Sequence, residues 1–387
     1  MQRVCLALAL VACKSAAPNA SDAPPVQPPD AGHPAPDAPS AQAIPLEVTA
    51  LGVQGFVLKH GDDVVMTAPL FTRQDELSVT LNIPLPSDTA AVDTGLAGVP
   101  LDKLSAIVSG HAHYDHLLDV PHVLSLSPGA LVATNLTGRN IFAALAPDRP
   151  PSCMGPAQDP NIARSRVIAM DDPLASHVDY TNCPDQAPPG APLQGTPLQV
   201  NPHVRLMAFC SMHPAQIFGI VHFAEGSIDN EQCTLPPPAS GWLEGQTLAF
   251  LIDFLDDNGE VAFRVFYQDA PTNAPSGFVP PQYLADHRVD VGLLCVGSSD
   301  VVMNEPADNL HDINPRFALA GHWEDFFLPI SPDPPPIPFL DVAAYDVKAL
   351  AVMTGDPDAP LVVDGIPTQT RYVRVMPQQS FVVPPAP

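Results

Sequence analysis

The stretch Leu104-Ser105-Ala106-Ile107-Val108-Ser109-Gly110-His111-Ala112-His113-Tyr114-Asp115-His116 limits what this chain can fold into more than any other. Leu104 to Val108 is a short apolar run that reads as a buried strand, and Ser109-Gly110 breaks it. His111, His113, Asp115 and His116 then follow within a single turn. Imidazole nitrogens and a carboxylate oxygen are the donors that a borderline divalent cation such as zinc prefers. Four of them on one loop cannot all face the same ion. His111 and His113 alternate and can share one cation, which leaves Asp115 and His116 to point at a second beside it. A metal loop needs a rigid base, and the preceding strand supplies one.

The His-x-His-x-Asp-His pattern at 111–116 resembles the signature of the metallo-β-lactamase superfamily of hydrolases. The resemblance runs from about Leu46 to near the C-terminus, with a Pro-rich insert at about 146–196. It implies an α/β domain over 46–387, folded as the four-layer αβ/βα metallo-β-lactamase sandwich. Two sheets then face each other, helices lie outside, and ligands arrive along one rim. The resemblance also supplies the remaining ligands in chain order. Val204 to Phe209 reads as a strand that ends in Cys210-Ser211-Met212-His213, so His213 completes the first histidine trio. Val261 to Tyr267 ends in Gln268-Asp269, and Asp269 matches the aspartate that bridges both ions. Phe317 to Ala320 ends in Gly321-His322, and His322 is the last ligand of the second ion. The implied set is His111, His113, Asp115, His116, His213, Asp269 and His322. Residues 322–326, His-Trp-Glu-Asp-Phe, are similar to a branch with lactonase-like and phospholipase-like members.

Other residues compete for these places. His203 precedes its strand and belongs at the opposite end of the sheet. His311 falls in a Pro/Asn-rich stretch that reads as a loop, and His122 reads as a surface or hydrogen-bonded histidine. Asp256 and Asp257 belong to the turn Asp256-Asp257-Asn258-Gly259 between two apolar strands. Arg264, the most suggestive cation near a ligand strand, reads as structural. One departure stands out. The superfamily usually has an acidic residue at the end of its third strand, supporting the metal loop. Here Thr67-Ala68-Pro69 occupies that place, and Asp62 and Asp63 lie at the wrong end.

Before the metal loop, Leu46–Leu51, Gly55–His60 and Val64–Ala68 read as an antiparallel meander. After it, Leu117–Leu126 reads as helical, with its start near Pro121. Ala130–Asn135 reads as a strand, Thr137–Leu145 as a short helix, and 289–297 as a buried strand. A helix at 341–353 and edge strands within 360–383 complete the expectation.

Composition narrows the partners. The net charge is −26 with only 15% charged residues, which repels phosphate backbones and argues against nucleic acid. Residues 1–12 read as a signal peptide: Arg3, then the apolar run Val4–Ala12, too short to span a bilayer. Leu10-Val11-Ala12-Cys13 resembles a bacterial lipobox, implying cleavage before Cys13 and a lipid anchor on it. Residues 13–45, rich in Pro and Ala, then form a tether. Lys14, not Asp, follows the cysteine, which by resemblance to Gram-negative lipoprotein sorting implies the outer membrane of the cell envelope. That compartment permits disulfides. Cys153 and Cys183 are the expected pair, Cys210 and Cys295 read as buried thiols, and Cys233 is left over.

Two neighbouring divalent ions, zinc first and manganese or iron as alternatives, acidify a water toward neutrality. The expected activity is a metal-dependent hydrolase acting on an ester, lactone or phosphodiester, small or lipid-derived, with Asp115 handling the proton. Two alternatives stay open: an iron-dependent redox or dioxygenase relative, and a non-catalytic metal-binding envelope lipoprotein.

Overall fold

The computed structural model describes residues 44–149, 151–154, 159, 162–216, 220 and 222–387. The expected signal peptide, Cys13 and all but the end of the tether lie outside these residues. No described helix is long and apolar enough to cross a membrane.

The meander forms as its alternating pattern predicts: β1 (Leu46–Gly52), β2 (Gly55–His60) and β3 (Asp63–Thr67) pair antiparallel. Two short helices follow, α1 (Glu76–Thr80) and α2 (Thr89–Gly95), capped by the side chains of Asp75 and Asp88. Strand β4 (Leu104–Val108) pairs parallel with β3. The metal loop runs into α3 (Tyr114–Leu117), then α4 (Val120–Leu126) with Pro121 in its first turn. Strand β5 (Leu131–Thr134), helix α5 (Leu136–Phe142) and strand β6 (Val167–Ala169) extend the parallel run.

The second sheet begins with β7 (Val178–Asp179) and β8 (Leu198–Asn201), both on one side of β9 (Val204–Cys210). Antiparallel β10 (Leu248–Leu255) and β11 (Val261–Gln268) follow, then parallel β12 (Val291–Cys295). Helix α6 (Ala307–Ile313) leads to β13 (Phe317–Gly321), and α7 (Val342–Val352) is capped by Asp341. His311 therefore lies on a helix, not in a loop; it is exposed. The last strands are β14 (Leu361–Val363), β15 (Ile366–Thr368), β16 (Tyr372–Arg374) and β17 (Ser380–Val383).

One sheet has the order β15-β14-β17-β1-β2-β3-β4-β5-β6, the other β16-β13-β12-β11-β10-β9-β7. Apolar side chains from both, among them Phe56, Leu58, Phe250 and Tyr267, fill the space between them. The outer face of the first sheet packs on α3, α4 and α5, and that of the second on α6 and α7. This is the four-layer αβ/βα sandwich that the metal-loop resemblance implies. Strand direction sets the functional rim. Strand β10 opposes both β9 and β11, so β9 and β11 run the same way, and β12 and β13 follow β11 in parallel. The C-terminal ends of β9, β11 and β13 thus share one edge.

The insert is more than loop: β7 within it joins the second sheet, and Tyr180 and Cys183 enter the inter-sheet core. This placement corrects the expected disulfide. Because β7 lies beside β9, Cys183 meets Cys210 and bonds to it. Cys153 meets Cys233, because Gln232 N–H donates to the carbonyl of Asn140 on α5 (2.8 Å) and Glu231 pairs with Arg164. Cys295 is the buried free thiol among the described residues, as expected. The Cys153–Cys233 bond spans a sequence separation of 80, so it restricts the unfolded chain strongly. Replacing both cysteines by serine is expected to lower the unfolding free energy by about 2–5 kcal/mol in urea titration. Non-reducing peptide mapping should recover the two cross-links as placed here; a Cys153–Cys183 peptide would contradict them.

A second consequence concerns Glu305, which precedes α6 and is 1% exposed. Its Oε1 has no hydrogen-bond partner among the described residues. Burial, reinforced by Asp308 and opposed by Lys348, pushes its carboxyl from an ordinary 4.5 up to about 8. The folded-state value lies above the unfolded one, so the stability gained from the protonated form is full below about pH 4.5. It is lost as pH rises toward 8. Neighbouring Tyr345 and Cys295 are pushed upward by burial and stay neutral through that window. The variant Glu305→Gln should therefore raise the Tm over the parent by a margin that widens from pH 5 to pH 8. A margin independent of pH would contradict the assignment.

Candidate metal centre

The loop after β4 bridges the two sheets. The carbonyl of Gly110 accepts from Leu248 N–H at the start of β10 (2.8 Å), and Ala112 N–H donates to Glu244 O (2.9 Å). Gly110 N–H donates to Asp269 Oδ2 (2.6 Å), so one carboxylate from the second sheet fixes the loop of the first. The other oxygen of Asp269 lies 3.0 Å from His111 Nδ1. That contact turns His111 so that its Nε2 is the available nitrogen. Ser109 Oγ donates to the carbonyl of His111 (2.8 Å).

Three groups of side chains converge on this seam: His111, His113 and His213; His111, His116 and Asp269; Asp115, His116 and His322. Within each group the candidate ligand atoms lie within 4.8 Å of one another. The structure thus brings together every residue expected at the site. His203 is at the far end, 3.1 Å from Asp63 at the start of β3. His122 pairs with Asp93 on the surface (2.7 Å). Arg264 is buried against Asp253, with Nε at 2.7 Å, and serves the sheet rather than the rim.

The donor chemistry suits divalent cations. His111 Nε2, His113 Nε2, His116 Nδ1 and His322 Nδ1 are buried without a hydrogen-bond partner among the described residues. Burial holds His111 and His113 well below the usual imidazole range, and His116 is pushed down to about 3. Burial lowers His213 as well. These four rings are neutral at pH 7, the form that offers a lone pair. Burial works to raise Asp115, but His116 and His322 together outweigh it and hold the carboxyl well below the usual range. Burial raises Asp269 against the opposing pull of His116 and Gly110 N–H. His213 is set by its own loop, with Nδ1 2.7 Å from Pro214 O, which leaves its Nε2 toward the other rings. Its ring centroid lies 4.7 Å from that of His111 and 5.1 Å from that of His113. Asp115 Oδ2 is 3.5 Å from His116 Nε2 and 3.4 Å from His322 Nε2.

Several supporting residues escaped the sequence reading. Thr67 Oγ1 donates to Gln54 O (2.8 Å) in the β1–β2 turn. Asp119 is buried instead beneath α3 and accepts from Phe71 N, Thr72 N, Thr72 Oγ1 and Ser87 Oγ. Its position three residues past His116, one helical turn on, was the available signal. Glu244 borders the loop, and burial, with Glu225 and Asp269 nearby, pushes it up to about 7. Aromatic rings flank both halves. Phe223 lies 6.5 Å from His113, and Phe326 lies 5.4 Å from His322 with Phe327 tilted beside it at 4.6 Å.

No protein-family model matches the chain, and no curated protein sequence matches it. Solved structures do match. The chain is similar to the metallo-beta-lactamase fold protein YhfI from Bacillus subtilis, at 14% identity and a TM-score of 0.41, covering 80% of this chain and 95% of that one. It is similar to Igni18, a metallo hydrolase from the archaeon Ignicoccus hospitalis, at 13% identity and a TM-score of 0.42, covering 87% and 98%. It is also similar to an isothiocyanate hydrolase from Delia radicum gut bacteria, at 11% identity and a TM-score of 0.41, covering 86% and 98%.

Gly110 tests the geometry directly. A Cβ there would lie 2.2 Å from Asp269 Oδ1 and 2.4 Å from the carbonyl oxygen of Leu248. Both neighbours belong to the opposite sheet. The variant Gly110→Ala should push Asp269 off the loop and lower bound metal after dialysis, measured by elemental analysis. Unchanged metal content would show that Asp269 and this loop are not held together as described.

Proposed function

We propose that this chain is a metal-dependent hydrolase of the metallo-β-lactamase type, holding two divalent cations, with zinc the first choice and manganese or iron as alternatives. The overlap of the three ligand groups carries the reading: His111 belongs to the first and second, and His116 to the second and third. Such overlap suits two adjacent ions, one held by His111, His113 and His213, the other by Asp115, His116 and His322, with Asp269 between. The pair supplies Lewis acidity, which readies water as a nucleophile near neutral pH and polarises the substrate oxygen.

The protein's own groups do the rest. Asp269 and Ser109 fix the loop, so the imidazoles need no rearrangement on binding. Asp115 side-chain exposure is 12% against none for Asp269, so Asp115 is the carboxylate open to substrate. Through the oxygen not engaged with His116 and His322, it takes the proton released by the attacking water. A neutral ester or lactone suits the rim better than a phosphodiester. Phe223 and Phe326 offer apolar surface on either half, whereas Glu225, close enough to raise Glu244, is acidic. The location belongs to this proposal too: Val4–Ala12 and Cys13 support an envelope lipoprotein whose tether holds the catalytic body near lipid-derived substrates.

Purified protein is expected to contain two metal equivalents and to hydrolyse p-nitrophenyl esters faster than bis-p-nitrophenyl phosphate. Chelation should abolish turnover, and zinc should restore it. His113→Ala should lower kcat/KM by roughly a hundredfold or more, since even outer partners of metal ligands are worth 10–100-fold. Its Tm should stay close to that of the chelated parent. Undiminished turnover in metal-free protein would falsify the proposal, and a visible absorption band from bound iron in protein without esterase turnover would favour the redox alternative.

A further inference from the structure

Behind the Asp115/His116/His322 group lies an ion pair that contributes no ligand. Arg73 NH2 and Glu324 Oε1 are 2.6 Å apart, with side-chain exposures of 8% and 6%. Arg73 comes from the segment after β3, and Glu324 stands two residues past His322. Among the described residues, Glu324 is the only ion-pair partner of Arg73, whose Nε and NH1 are buried without hydrogen-bond partners. Each charge therefore depends on the other.

Two further bonds join this pair to the backbone that carries His322. His322 N–H donates to the carbonyl of Val53 (2.6 Å), and Val53 N–H donates to Glu324 Oε1 (3.1 Å). The β1–β2 turn thus grips the ligand residue and the carboxylate together. Val53 and His322 are both left-handed, with φ of 52° and 55°. Neither is glycine, so this backbone persists only where its surroundings hold it. The fit leaves no slack: a Cβ on Gly52 would lie 2.6 Å from Arg73 NH2 and 2.8 Å from Glu324 Oε1. On the ring side, Gly297 stands against His322, where an added Cβ would lie 3.1 Å from Nδ1.

We propose that Arg73 and Glu324 are positioning residues for His322, a latch that sets the affinity of the second cation and leaves the first untouched. The latch also answers the missing acid after β3. The support comes from a basic residue further along the same segment, acting through a carboxylate on the other sheet. The inference rests on the two-cation reading, and its test separates the two.

The double variant Arg73→Gln/Glu324→Gln removes both charges at once, so no buried charge is left alone, and the amide oxygen it puts at position 324 can still accept from Val53 N–H. Metal-free parent and variant are titrated with zinc against a chromophoric chelator, and zinc retained after dialysis is counted. In the parent, two equivalents are expected. In the variant, one site should keep its affinity within about threefold and the other should weaken about 10–100-fold, the range for groups that orient a ligand. Retained zinc then falls toward one equivalent. Arg73→Lys keeps the charge without the planar fork, and it should recover part of the lost affinity; it also serves if the double variant does not fold. Two unchanged affinities with a lowered Tm would make the pair a structural strut and overturn the latch. Equal weakening of both sites would overturn it as well. A parent that binds no zinc would instead overturn the two-cation reading beneath it.

Discussion

Polar groups are buried at the seam of the two sheets, and the fold is arranged around that burial. Four ring nitrogens there have no protein partner among the described residues. An unsatisfied buried donor or acceptor costs about 1–3 kcal/mol, so the chain by itself gains nothing from placing them there. Divalent cations would take up the lone pairs of His111 Nε2 and His113 Nε2, and their binding energy would count toward the stability of the folded state. The neighbouring glycines serve the same end. Gly110 lets Asp269 approach the metal loop, Gly297 makes room for the His322 ring, and Gly321 passes within 2.9 Å of the Val53 carbonyl when a Cβ is placed on it.

Much of this was legible in the sequence because parallel strands buried on both faces read as continuous apolar runs. The runs at 104–108, 204–209, 261–267 and 317–320 each form a strand, and the residues just past each end meet at the rim. Period alone does not say that those ends share an edge. That follows from β10, the one reversed strand between β9 and β11. Features that depend on lateral contacts were not legible. Cys183 pairs with Cys210 because two residues of β7 add to the edge of β9, and so short a strand carries no periodic signal. Helix α6 hid His311 in a similar way. Its sequence, Ala-Asp-Asn-Leu-His-Asp-Ile, has too few apolar positions to show a helical stripe.

The missing acid after β3 shows a different limit. The sequence shows that Thr67 cannot play the supporting part, but not what replaces it. The replacements come from places that only the folded chain brings near: Asp119 from beneath α3, Asp269 from the opposite sheet, and Arg73 with Glu324 across the β1–β2 turn. Each makes a hydrogen bond of 2.6 to 2.7 Å, and none falls at a spacing that a linear motif would record.

These supports divide the centre into two halves held by different means. The His113/His213 half leans on the second sheet and its loops. Cys210, just before His213, is bonded to the insert, and Gln246 Nε2 donates to both Gln186 Oε1 (2.9 Å) and Ser211 O (3.0 Å). The His322 half leans on the first sheet, through the turn at Val53 and the buried pair beside it. The middle group, His111, His116 and Asp269, joins the two halves. A change in the insert would therefore reach the first half before the second, and a change in the β1–β2 turn would do the reverse. With supports this separate, the insert can reshape the rim around Phe223 while the geometry of Asp115 and His322 stays fixed.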